Sequence, residues 1–109
     1  MSKTGDAQHI QHCETMEQVR ANIDALDARI LPLVAARSAY VAQAARIKQS
    51  ADQVYDQARI DAIIDRVRSL AMEHGAPPEV IEATWRAMIA ASIEFEHAEF
   101  ARLRDQDQP

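Results

Sequence analysis

An all-α fold with three helices per chain is what this sequence predicts, and three observations predict it. Helix formers, alanine above all, dominate the 109 residues, with only two Gly and four Pro. Apolar residues recur at three- and four-residue intervals over long stretches. One such stretch, residues 15–48, is too long for the fold its own chain can build. At about 1.5 Å per residue it spans about 50 Å, whereas a domain of this size has a radius of gyration near 13 Å. The overhang needs a cover, most simply a second copy, so the expected architecture is an intertwined homodimeric helical bundle with a long first helix.

The elements follow in order. Residues 1–14 are polar and aperiodic and read as a disordered tail. His9, His12 and Cys13 lie close in sequence, but their spacing matches no standard zinc pattern, and no metal site is expected. Thr15 followed by Gln18 fits a capping box that opens the first helix. Its stripe is Val19, Ile23, Leu26, Ile30, Leu33, Val34, Val41, Ala44 and Ile47. Pro32 removes one internal hydrogen bond. The apolar period continues on both sides of it, so a bend is expected; two helices broken at Pro32 is the alternative. Residues 49–55 read as a polar loop. Asp56 suits the N-cap or first turn of a second helix striped by Ile60, Ile63, Ile64, Val67, Leu70 and Ala71. His74-Gly75 is a C-terminal signal, with Gly free to take positive φ, and Pro77-Pro78 opens the third helix. That helix runs to about residue 103 on Ile81, Trp85, Met88, Ile89, Ser92, Phe95, Phe100 and Leu103, and residues 105–109 form a frayed tail. The helical domain is thus residues 15–104.

Composition narrows the function. A net charge of -5 disfavours nucleic acid and anionic membrane surfaces as partners. One cysteine, Cys13, precludes an intrachain disulfide. No leader pattern and no apolar run of membrane-spanning length is evident, so a cytoplasmic protein is expected. A cluster of cations can still attract a small anion. On the first helix, Lys48 falls within about 20° of the direction of Arg37 and about 16 Å beyond it. Arg20 lies about 25 Å before Arg37 and is turned by about 100°. One small ligand cannot touch Arg20 and Lys48 of one straight helix, but two antiparallel copies bring the early Arg of one to the later cations of the other. A lone helical Arg is ordinarily a solvated charge. Ala35, Ala36, Ser38 and Ala39 leave room for a ligand beside Arg37 and equally suit close helix packing. Ser92 and Glu96 interrupt the third helix's apolar side one turn apart, as site residues or as a small packing residue and a helix-edge acid.

Three segments carry a family resemblance: VRANIDALDARILPLVAARSAYVAQAARIK at residues 19–48, DQARI at 56–60 and AMIAASIEFE at 87–96. The first has an Arg at its opening, an I-D-x-L-D pattern, A-A-R ending seventeen residues after that Arg, and a Lys eleven further on. The sequence resembles the all-helical chorismate mutases and their relatives, the isochorismate pyruvate lyases, over roughly residues 16–103. The resemblance implies a homodimer with shared active sites and a dianionic substrate, chorismate, which rearranges to prephenate for phenylalanine and tyrosine biosynthesis. It implies that Arg20 reaches the partner's site and binds a carboxylate, that Arg37 binds the other carboxylate, and that Arg59 helps with a carboxylate. Lys48 and Glu96 would face the ether oxygen of the breaking bond. Asp56 would contact the ring hydroxyl, and Ser92 would lie near it or near a carboxylate. The reaction is pericyclic and needs no cofactor, metal or nucleophile.

Three departures qualify the pattern. Many bacterial mutases resemble this chain but have Gln in place of Glu96, whereas some fungal ones have Glu. A carboxylate would repel the developing negative oxygen, so Glu96 would have to donate as the neutral acid, a form that burial favours and nearby Lys48 opposes. Ile60 stands where many mutases have a Glu that helps hold the hydroxyl, and an apolar residue there resembles the lyases. The loop after Lys48 is slightly short, which also resembles the lyases, whereas Asp56 and Ser92 resemble the mutases. The competing readings are therefore isochorismate pyruvate lyase, forming salicylate and pyruvate, and a non-catalytic helical dimer module.

Overall fold

The computed structural model describes residues 9–107. Three α-helices account for most of them, α1 (Met16–Ile47), α2 (Gln57–Glu73) and α3 (Pro78–Gln106), with a short 3-10 helix (Ala51–Gln53) between α1 and α2. There is no strand among the described residues. The chain divides into two compact units, one ending at Arg37 and the other beginning at Ser38, with α1 contributing to both. Of the expected tails, residues 1–8 and 108–109 lie outside the described residues.

In the first unit the capping box forms as its residue types dictate. The Gln18 amide donates to Thr15 Oγ1 at 3.1 Å, and Gln18 Oε1 accepts from the backbone of Glu14 at 2.7 Å and of Thr15 at 3.3 Å. From there α1 passes through Pro32 without interruption, so the two-helix alternative does not hold. Residues 9–13 lie along the start of α1. They border a cleft of about 550 Å³ with Val19, Asn22 and Leu26, and the Asn22 side chain donates to Cys13 Sγ at 3.7 Å. No described residue of this unit is buried. The apolar stripe shows the same thing: Ile23, Ile30 and Leu33 are 50%, 53% and 72% exposed in the single chain.

The second unit holds the core: Ala45, Val54, Ile64, Val67, Ala71 and Ile89. The stripes of α2 and α3 face one another as their 3.6-residue period requires, with Ile64, Val67 and Ala71 of α2 on the buried side. The α1 stripe needs correction at its end. Ala45, outside the stripe, is the buried residue of α1, while Ile47 is 64% exposed. The segment 49–55 is also more ordered than a polar loop. Gln53 Oε1 accepts from the Gln49 amide at 2.8 Å and the Ser50 amide at 3.4 Å, closing one 3-10 turn that delivers Val54 into the core.

The α2–α3 connection follows its local signals. The Ala76 amide donates to Ala71 O at 2.8 Å, and Gly75 takes φ 69°. This left-handed helix ending is costly for a residue with a Cβ. Pro78 then opens α3. Glu82 of α3 binds Arg68 of α2 at 2.6 Å and Arg86 of its own helix at 2.7 Å, linking the two helices on their outer side. At its far end α3 continues past residue 103 to Gln106, and Arg104 in that last stretch is anchored to the end of α1.

Candidate active site

The centre of the candidate site is an ion pair that two helix positions create. Lys48 follows the last residue of α1, its amide donating to Ala44 O at 2.9 Å. Its ammonium Nζ stands 2.7 Å from Glu96 Oε2 on α3. Glu96 is the one buried charged residue among those described, with 6% of its surface exposed, and Lys48 is half-buried. The helix-edge reading of Glu96 therefore fails: the side chain points inward.

The pair is close but poorly aligned. Glu96 Oε2 is fully buried and receives no hydrogen bond, despite the short distance to Nζ. We read the contact as charge against charge, since the distance alone meets the requirement for a hydrogen bond and the angle does not. A buried carboxylate oxygen left without a hydrogen bond is costly unless something completes its shell.

The α1 end that carries Lys48 is held from α3. Arg104 donates through Nη1 to Ala45 O at 2.9 Å and through Nη2 to Lys48 O. Its guanidinium lies over the Phe100 ring, 3.7 Å from the centroid. These are carbonyls that a helix C-terminus leaves without internal partners, and a cation there complements the helix dipole. Arg104 does not stand out in the sequence, because its acceptors are backbone atoms that carry no residue signature. The available signal is its spacing: Glu96, Phe100 and Arg104 recur every four residues on one face of α3.

The other candidates are placed as follows. Asp56 is the N-cap of α2, its Oδ1 accepting from the Arg59 amide at 3.0 Å, which selects the cap from the two local readings. The side chains of Asp56 and Arg59 are on exposed residues at that helix start. Ile60 is half-buried and lines a cleft of about 200 Å³ with Tyr55, Ile89 and Ile93. Ser92 is half-buried on α3, one turn before Glu96. Arg20 and Arg37 belong to the first unit, Arg20 exposed and Arg37 half-buried. The structure thus brings Lys48 and Glu96 into contact and sets Asp56 and Arg59 together by a cap.

Among the described residues no three His, Cys, Asp or Glu side chains gather as a metal-binding group, and no helix is long and apolar enough to cross a membrane. No curated protein matches the chain. The family model for chorismate mutase type II matches residues 19–97. That span begins just before Arg20, ends just after Glu96, and takes in every residue implicated above except Phe100 and Arg104. By this match the chain belongs to the chorismate mutase type II family.

Proposed function

We propose that this protein is a chorismate mutase, catalysing the intramolecular rearrangement of chorismate to prephenate. The single observation that carries the reading is the buried Glu96 carboxyl against the half-buried Lys48 ammonium, within the family match. In the reaction one C–O bond breaks and one C–C bond forms within a single molecule. Negative charge grows on the ether oxygen as the bond opens. A preorganised donor at that oxygen lowers the barrier, because it needs no reorientation when the charge appears. Lys48 supplies that donor. Glu96 adds a second only as the neutral acid, and as a carboxylate it holds the ammonium in place. Arg37 and Arg59 bind the substrate carboxylates, and their planar forks match that geometry better than an ammonium would. Holding the dianion in its compact reactive shape supplies a further part of the acceleration. Asp56 and Ser92 accept or donate at the ring hydroxyl.

A homodimer with shared sites completes the reading. The exposed Ile23, Leu26, Ile30, Leu33 and Val34 form an apolar face that water does not favour. A second copy covers it and brings its own Arg20 to the site. Turnover of chorismate and of isochorismate, each supplied alone to the purified protein, tests the assignment. Prephenate from chorismate supports it. Salicylate and pyruvate from isochorismate alone replaces it with the lyase, and turnover of neither leaves a non-catalytic module. Ile60, the residue that resembles the lyases, borders the same cleft as Ile89 and Ile93, so its apolar character matches the apolar wall it belongs to.

A further inference from the structure

Two contacts converge on one residue from opposite directions. Glu96 meets the ammonium of Lys48, and Arg104 holds the Lys48 carbonyl. Both come from the same face of α3, two turns apart, with Phe100 between them. The Arg104 fork also takes Ala45 O, so it spans the final turn of α1. Stacking on Phe100 fixes the plane of the guanidinium. Lys48 itself has four rotatable side-chain bonds, and its ammonium meets Glu96. Where its ammonium arrives therefore depends on the backbone from which the side chain departs.

We infer that Arg104 is a positioning residue for Lys48, clamping the end of α1 to α3 so that the Lys48 ammonium is delivered to the Glu96 carboxyl. The inference rests on the reading of Lys48 as the donor to the reacting oxygen. Arg104 touches no substrate and acts through the backbone. A lysine in its place reaches one carbonyl at a time and does not stack as a plane.

The test is a set of variants made in the full chain. Arg104→Ala is expected to lower kcat with chorismate by about 10- to 100-fold, the order that a displacement of about 1 Å brings, with KM little changed. Arg104→Lys recovers part of that loss. In a Lys48→Ala background, Arg104→Ala costs nothing further, because the residue acts through the one already removed. Equal fold losses in both backgrounds overturn the inference. A readout independent of turnover is the NMR signal of the Lys48 ε-carbon in the free protein. It shifts and averages in Arg104→Ala, while the methyl signals of Ile64 stay in place. A Lys48 signal that does not move overturns the inference, even if the wild type converts neither substrate. That last result alone removes the functional reading and leaves the clamp to be judged by NMR. Should Arg104→Ala fail to fold, Arg104→Lys and Phe100→Leu make the same measurement.

Discussion

The two units of this chain are built from the same kind of sequence and reach opposite ends. Both are alanine-rich amphipathic helix with a regular apolar stripe. In the second unit the stripes of α2 and α3 find one another, and Ile64, Val67 and Ile89 are buried. In the first, Ile23, Leu26, Ile30, Leu33 and Val34 of α1 stay exposed, and no described residue there is buried. Periodicity therefore predicts that a face is apolar but not what it faces. The candidate donor, Lys48, and its acid, Glu96, lie in the unit that has a core, and the early cation, Arg20, lies in the one that has none.

The largest expected effect breaks that contrast directly. Ile30→Asp places a charge on the exposed stripe, and in a two-fold dimer each copy introduces it. An unpaired charge in an interface costs several kcal/mol. The proposed dimer should then sediment as a monomer, with turnover lost. A variant that remains dimeric and active would place the interface elsewhere.

Next in size is Lys48→Ala, expected to slow turnover by about 10²–10³-fold, or about 2.7–4 kcal/mol of barrier. A nearly active variant would mean that the donor is misassigned. Sharing between copies is checked by mixing Arg20→Ala with Lys48→Ala chains. Random pairing in a two-fold dimer restores on the order of a quarter of intact sites, whereas sites confined to one chain give no recovery. Glu96→Gln keeps a neutral donor in place, so turnover retained in Gln and lost in Glu96→Ala points to a donor there. Equal turnover in the two variants would leave the cation as the only donor.

Smaller effects sharpen the description of the second unit. Asp56→Ala removes the α2 cap and is expected to cost about 1 kcal/mol, read as a lower Tm. Asp56→Asn keeps the cap, so activity lost in Asn without a change in Tm isolates contact with substrate. The smallest effect concerns Glu82. Hydrogen bonds from Arg86, and then from Arg68, hold its carboxyl below the usual carboxylate value. A depressed folded-state value means that the stabilisation is present above the unfolded value and lost as pH falls through the folded one. The Tm difference between wild type and Glu82→Gln should therefore close in acid. A difference that persists there would trace to packing.

What the sequence makes legible is whatever depends on near neighbours. The Thr15–Gln18 box, the left-handed Gly75 and the Pro78 start are all formed as their residue types predict, because each partner lies within a few residues. What escapes depends on distant ones. Val54 stands in a stretch that reads as a polar loop, and the 3-10 turn before it delivers it into the core. Ala45 is buried because of where the last turn of α1 sits against the end of α3, while its more apolar neighbour Ile47 stays exposed. Periodicity marked Glu96 and Lys48 separately; the family resemblance set them opposite each other, and the structure gives the contact, 2.7 Å. Arg104 escaped because its partners are backbone carbonyls.

The unbroken passage of α1 through Pro32 constrains how the gene can change length. Arg20 and Arg37 share one continuous helix within the first unit. A single-codon insertion or deletion between them changes their spacing by about 1.5 Å and turns one cation by about 100° relative to the other. Three- or four-residue changes nearly restore the direction but shift the spacing by about 4.5–6 Å. Length variation in functional descendants of this sequence should therefore collect before Thr15 and after α3, and spare the run between the two arginines.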